Sequence, residues 1–158
     1  MTFRSLGLIL TLVAACGDDG TPAPDAPDES ACVPAAGAPA ERVTTTSGVV
    51  RGARDGETWA YKRVPFAAAP TGARRLASPA PAVCAAGEID ATALGPMCPQ
   101  LDEGVYLGEE DCLQLNVWAP AAASAPRPVM LWIHGGGHRV GAGWVYDGSN
   151  FARDGVVV

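Results

Sequence analysis

Three consecutive glycines, Gly135 to Gly137, stand between His134 and His138, directly after the apolar run Val129 to Ile133 in PVMLWIHGGGHRVGAGWVYDG. Glycine weakens both helix and strand, so a run of three serves something other than regular structure. With no side chain in the way, successive amides after a strand can point together at one place. That arrangement suits an oxygen anion, the species formed when a nucleophile attacks an ester carbonyl. The ordinary alternative is a turn without chemistry. Other chemistries fit the spacing poorly. A phosphate loop needs Lys after Gly141, where Ala142 stands, and a dinucleotide fingerprint starting at Gly141 needs Gly or Ala at position 146, where Tyr146 stands. His134 and His138 have the spacing of a helical zinc pair, but no Glu follows His134. Three glycines between them would also cost a helix about 2 to 3 kcal/mol. No metal site and no cofactor is expected.

The elements around the glycines set their position. Val129 to Ile133 shows no alternation, the pattern of a strand covered on both sides by helices. CLQLNVW alternates, with Leu113, Leu115 and Val117 on one face and Gln114, Asn116 and Trp118 on the other, which predicts a strand with two different faces. Further upstream, Arg42 to Gly52 reads as two short strands hinged at Ser47 and Gly48, and ETWAYKRVPF as a third strand stopped by Pro65. From Ala67 to Pro99 the density of Pro, Ala and Gly predicts a long irregular segment. After the glycines, Ser149 to Asp154 reads as a short helix capped by Ser149 or Asp147, and Val156 to Val158 as a buried strand. Antiparallel hairpins thus lead into a mostly parallel central sheet, the start of an α/β fold. Three terminal valines with nothing behind them imply a sheet that continues in a longer protein.

The first residues read differently. Arg4 precedes an unbroken small or apolar run from Leu6 to Ala15, too short to span a bilayer, so residues 1–15 are expected to be an export signal. Leu12 to Cys16 resembles the lipobox of bacterial lipoproteins, in which the cysteine thiol is lipidated, giving Cys16 as a membrane anchor. Residues 16–41 are rich in Asp, Pro, Ala and Gly and almost free of large apolar side chains, the composition of a disordered tether. The formal net charge is −6, and losing residues 1–15 removes only one charged side chain, Arg4. Such acidity disfavours binding to nucleic acid or anionic lipid heads. The expected location is the bacterial cell envelope, as a membrane-anchored lipoprotein, with secretion as the alternative.

Five stretches carry a resemblance. EEDCLQLNVW is similar to the second signature of the type B carboxylesterase and cholinesterase family, and PVMLWIHGGG to its strand and oxyanion loop. VPFAAAPTGARRLASPAP, GPMCPQ and YDGS also fit, in the family's order, so residues 42–158 resemble the N-terminal portion of a carboxylesterase domain. The resemblance implies an α/β-hydrolase fold that cleaves small-molecule carboxylic esters with a serine nucleophile, a histidine base and a glutamate. It implies that Gly136 and Gly137 donate their amides to the oxyanion, with Gly135 giving the turn its freedom. His134 then packs and hydrogen-bonds below the loop, and His138 departs from the family, where an aromatic is common. No G-x-S-x-G occurs, because Ser149 has Asp147 and Phe151 at the flanking positions. The chain is therefore expected to hold part of an oxyanion hole and no catalytic triad, which the family carries further along. A non-catalytic cholinesterase-like adhesion protein is the alternative.

With Cys16 lipidated, Cys32, Cys84, Cys98 and Cys112 form an even set suited to an oxidising compartment, with three possible pairings. By resemblance Cys98 pairs with Cys112, a closure worth about 3 kcal/mol in the chain-entropy account. Cys84 stands where relatives often carry an aromatic, so a bond from it to Cys32 is a secondary expectation.

Overall fold

A computed structural model describes residues 32–34, 37, 39–122 and 125–158. The expected signal, Cys16 and most of the tether lie outside the described residues. The tether's end, however, joins the fold: Cys32 is buried and bonded to Cys84, and the Tyr61 hydroxyl donates to Ala40 O at 2.5 Å while accepting from Ala40 N at 3.0 Å.

The hairpin expected over Arg42 to Gly52 forms as β1 (Arg42–Thr45) and β2 (Gly48–Arg51), antiparallel, with Gly48 at φ 121° in the turn. Ser47 is buried beside it and donates its hydroxyl to Pro65 O at 2.8 Å. A short strand that the sequence pattern does not announce, β3 (Ala53–Asp55), turns back into β4 (Thr58–Pro65). The long Pro-rich segment is mostly irregular, as its composition predicts, but it contributes β5 (Ile89–Asp90), which runs parallel to β2. Arg51 holds that edge through Glu88 at 2.9 Å and Asp90 at 2.8 Å. Next comes a small exposed hairpin of β6 (Gln100–Asp102) and β7 (Val105–Leu107).

The strand predicted around CLQLNVW is β8 (Gln114–Pro120), antiparallel to β4. Their register slips between Tyr61 and Val64, where Arg63 takes φ 67° in a bulge. Asn116 accounts for the bulge: its Oδ1 accepts the Arg63 amide at 3.1 Å. One core, built on Val50, Tyr61 and Ala91, lies between the β1–β2–β5 sheet and β4, with Val43, Trp59, Val64, Ile89 and Val117 packed around it.

Beyond β8 the sheet grows first by an antiparallel pair and only then by a parallel bridge of the expected sense. Trp118 and Val158 exchange both backbone hydrogen bonds, at 2.9 and 3.0 Å, and Val157 pairs with Val129 in a parallel bridge. Two expectations need correction here. Val129 to Ile133 is not covered on both sides: Val129, Leu131, Trp132 and Ile133 are 76, 78, 56 and 81 % exposed, only Val129 joins the bridge, and Tyr146 packs against Trp132. Val156 to Val158 is half-buried, not fully buried.

The helix α1 (Ser149–Arg153) forms where predicted, but Ser149 is its first residue and not its cap. Gly148 occupies the cap position, and Asp147 Oδ1 accepts the Ser149 amide at 2.8 Å. Gly148 is required by packing, since a Cβ there would meet the Trp118 ring at 2.8 Å. That close approach lets Ala152 of α1 pack with Ala60 and Trp118 as a second core.

Candidate active site: a backbone oxyanion loop

The glycine run follows the exposed segment from Val129 and curls back on itself before reaching α1. Gly136 and Gly137 have φ of 124° and 62°, and His138 continues in the left-handed region at 57°. An L side chain strains in such conformations. At Gly136 it would also collide, because a Cβ there falls onto the Val140 carbonyl. The curl is held by the Gly136 carbonyl, which accepts the amides of Arg139 at 3.1 Å and Val140 at 3.2 Å. Among the described residues, the Gly136 and Gly137 amides themselves donate to no backbone acceptor. Both glycines are exposed. Two neighbouring exposed amides left without backbone partners on such a turn are both available to donate.

Gly135 behaves differently from its expected role. Its φ lies outside the left-handed region and nothing would approach a Cβ within 4 Å, so the conformational freedom of the turn is supplied by Gly136 and Gly137. The contribution of Gly135 is its carbonyl. His134 Nδ1 donates to that oxygen at 2.7 Å, which fixes the imidazole beside the loop, as expected for a hydrogen-bonding residue, although the ring is exposed and not packed below it. His138 is exposed at the rim.

The loop closes at Gly141, which the sequence presents only as a glycine of two motifs that do not fit. Gly141 has φ 118°, and a Cβ there would meet Gly135 O at 2.7 Å and His134 Nδ1 at 2.9 Å. Its backbone is gripped on the far side by the Gln100 side chain. Gln100 Oε1 accepts the Gly141 amide at 2.7 Å, and Gln100 Nε2 donates to Gly141 O at 3.1 Å. The same Nε2 also donates to Cys98 O at 3.0 Å. No local pattern joins positions 41 residues apart, so this pairing has no signal in a single sequence.

Disulfides stiffen the surroundings. Cys98 and Cys112 are bonded with Cα atoms 5.0 Å apart, and Cys32 and Cys84 with Cα atoms 5.8 Å apart. Cys98–Cys112 closes the loop that carries β6 and β7. Leu94 to Met97, Gly108, Glu109 and Trp144 line a shallow apolar depression beside it. Trp144 and Tyr146 follow the glycine loop on a short 3₁₀ turn, and Tyr146 packs against Trp132 with ring centroids 5.4 Å apart.

The described serines do not meet the histidines. Ser47 spends its hydroxyl on Pro65, and Ser149 is buried at the start of α1. Among the described residues, no group of three or more His, Cys, Asp or Glu is gathered in a way that could hold a metal ion.

Comparison with known proteins gives a consistent match. Residues 39–158 match the Carboxylesterase family. The chain is 40 % identical over 125 residues to the para-nitrobenzyl esterase of Bacillus subtilis, covering 73 % of the chain and 26 % of that protein. It is 42 % identical over 122 residues to the fumonisin B1 esterase of Sphingopyxis macrogoltabida, covering 72 % of the chain and 22 % of that protein. Among solved structures it resembles a PNB esterase, with a TM-score of 0.69 and 41 % identity over 75 % of the chain and 26 % of that structure. A Geobacillus stearothermophilus carboxylesterase gives 0.66 and 40 % over 75 % of the chain and 25 % of that structure. The chain thus spans about a quarter of the length of these relatives, and the solved structures among them have the α/β-hydrolase fold.

Proposed function

The chain belongs to the carboxylesterase family, and from that premise we propose that it supplies the oxyanion loop of a serine carboxylic ester hydrolase. The observation that carries the reading is the pair of exposed amides at Gly136 and Gly137, held in left-handed conformations with no backbone acceptor among the described residues. In such a hydrolase a serine Oγ bonds to the ester carbonyl carbon while its proton passes to histidine, and the carbonyl π electrons move onto oxygen. The amides of Gly136 and Gly137 stabilise that charge until the tetrahedral species collapses, histidine returning its proton to the departing alcohol, and water then hydrolyses the acyl-serine by the same steps. A third amide comes from the residue after the nucleophile. One donor of this kind contributes about 100 to 1,000 fold in rate. Serine, histidine and glutamate are supplied by parts of the full protein outside these 158 residues, and no cofactor takes part. The substrate is a small-molecule carboxylic ester, and the protein is exported to the bacterial envelope with Cys16 as its lipid anchor.

The test is kinetic. In the full protein, Gly136→Val should lower kcat on an activated ester by about 100 fold or more, because the β-branched side chain displaces the turn and shields the amide. Residues 1–158 alone should hydrolyse the same ester no faster than buffer, since donors without a nucleophile accelerate nothing. A folded Gly136→Val variant with full turnover would end the oxyanion reading. For the anchor, Cys16→Ser should move the protein from the membrane fraction into the soluble one, and unchanged retention would exclude lipidation at that residue.

A further inference from the structure

A two-point hydrogen bond to the backbone is the geometry by which one strand holds another. Here a side chain does it, across a separation of 41 residues, with the half-buried amide of Gln100 pairing with both polar atoms of Gly141. On one side of the pair, Gln100 lies two residues from Cys98, whose carbonyl accepts from the same Nε2 and whose sulfur is bonded to Cys112. The hairpin base is tightened further where Glu109 N donates to Met97 O at 2.9 Å and Gly108 lies directly against the Cys98 carbonyl. On the other side, Gly141 lies against Gly135 O and the His134 ring, and Gly136 is covered by the Val140 carbonyl immediately before Gly141. A displacement of Gly141 therefore pushes on the first two glycines of the run, Gly135 directly and Gly136 through Val140, and the donors must be placed to a fraction of an ångström to act on a transition state.

We propose that Gln100 is a positioning residue for the oxyanion loop, transmitting the rigidity of the Cys98–Cys112 loop to Gly136 and Gly137 through Gly141. The proposal rests on the reading of those two amides as oxyanion donors. Gln100 touches neither substrate nor nucleophile in this scheme, and its effect is to hold donors already in place.

Two variants of the full protein separate the possibilities. Gln100→Glu keeps the length and can still accept the Gly141 amide, but it cannot donate to Gly141 O and sets a negative charge against that carbonyl. Gln100→Met keeps the length, removes both hydrogen bonds to Gly141 and the one to Cys98 O, and adds no charge. Both should lower kcat by about 10 to 100 fold, the loss expected from a small misplacement of catalytic groups, with KM changed less than about threefold. Affinity for a trifluoromethyl ketone, which forms a tetrahedral oxyanion on the nucleophile, should fall in parallel with kcat/KM. Active sites are counted by titration with an organophosphate, so that kcat refers to competent enzyme only. Unchanged kcat per site and unchanged ketone affinity in both variants would overturn the proposal, as would a loss confined to the number of titratable sites, which signals folding alone. Gly136→Val is measured alongside: if it too leaves kcat intact, the oxyanion reading has failed, whereas a damaged Gly136→Val beside intact Gln100 variants overturns only the positioning role.

Discussion

Gly136 is where conformation and contact agree most closely on glycine: its φ of 124° strains any L residue, and its missing Cβ makes room for the Val140 carbonyl. Gly135, one residue earlier, meets neither condition. The two therefore respond oppositely to the smallest substitution. Gly136→Ala in the full protein is expected to move Val140 and the amide with it, lowering turnover by about 100 fold, the cost of one oxyanion donor. Gly135→Ala is expected to leave folding stability unchanged or raise it by up to about 1 kcal/mol, since alanine at a compatible backbone position reduces the freedom of the unfolded chain. Denaturant unfolding and turnover of the two proteins check this, and equal behaviour in both assays would mean that the turn accommodates a methyl group at Gly136. That a run of three glycines had a purpose is legible from composition alone. Which of the three needs to be glycine is not, because the answer depends on where the Val140 carbonyl lies.

The β4–β8 pair illustrates the same division among elements. β1, β2, β4 and β8 are legible because they alternate or end at turn residues, whereas β3 and β5 are strands only through their partners. β5 has two residues, and Arg51 draws it in by accepting the Ala91 amide at its carbonyl and pairing its side chain with Glu88 and Asp90. The bulge at Arg63 is equally invisible locally, yet it explains Asn116, whose amide oxygen replaces the strand partner that the register slip removes. Asn116→Ala is expected to cost about 1 kcal/mol, a typical hydrogen bond, in denaturant unfolding, and an unchanged midpoint would show that water serves the Arg63 amide as well. On the same strand, burial raises the Tyr61 phenol above its ordinary value of 10.0, against the opposing effect of its hydrogen bond with Ala40. The folded state thus holds this proton more tightly than the unfolded state does. The stabilisation is complete below about pH 10 and is lost as pH rises through the raised value. Tyr61→Phe should remove that alkaline fall while lowering stability at neutral pH by about 1 kcal/mol through the lost bonds to Ala40, and an identical alkaline profile in the variant would assign the fall to other groups.

Across the whole molecule, the sequence pattern and the structure disagree most where burial depends on something outside the described residues. An apolar run without alternation predicts cover on both faces, but Leu131 and Ile133 stand about four-fifths exposed, and Trp132 is more than half exposed beside Tyr146. The run is the same in both accounts; what differs is that burial is a property of neighbours, and a strand's own residues cannot reveal them. Trp144 and Val145, which follow the glycine loop, are also exposed, so the surface on this side is more apolar than the surface of an isolated soluble domain normally is. An open edge with unpaired backbone groups beside such a surface is a template for association. The 158-residue chain produced alone is therefore expected to bind an apolar reporter dye and to self-associate at about 100 μM, the concentration range in which exposed strand edges begin to pair. Leu131→Lys together with Ile133→Glu should suppress both effects by placing charge on the exposed positions, while leaving the far-ultraviolet dichroism of β1 to β8 unchanged, because neither side chain belongs to either core. Sedimentation and dye fluorescence decide the matter: a wild-type chain that stays monomeric and dark would mean that this stretch folds away in solution, and persistent association of the charged variant would place the sticky surface elsewhere, with the exposed β6–β7 hairpin and its Leu101, Val105 and Tyr106 next in line.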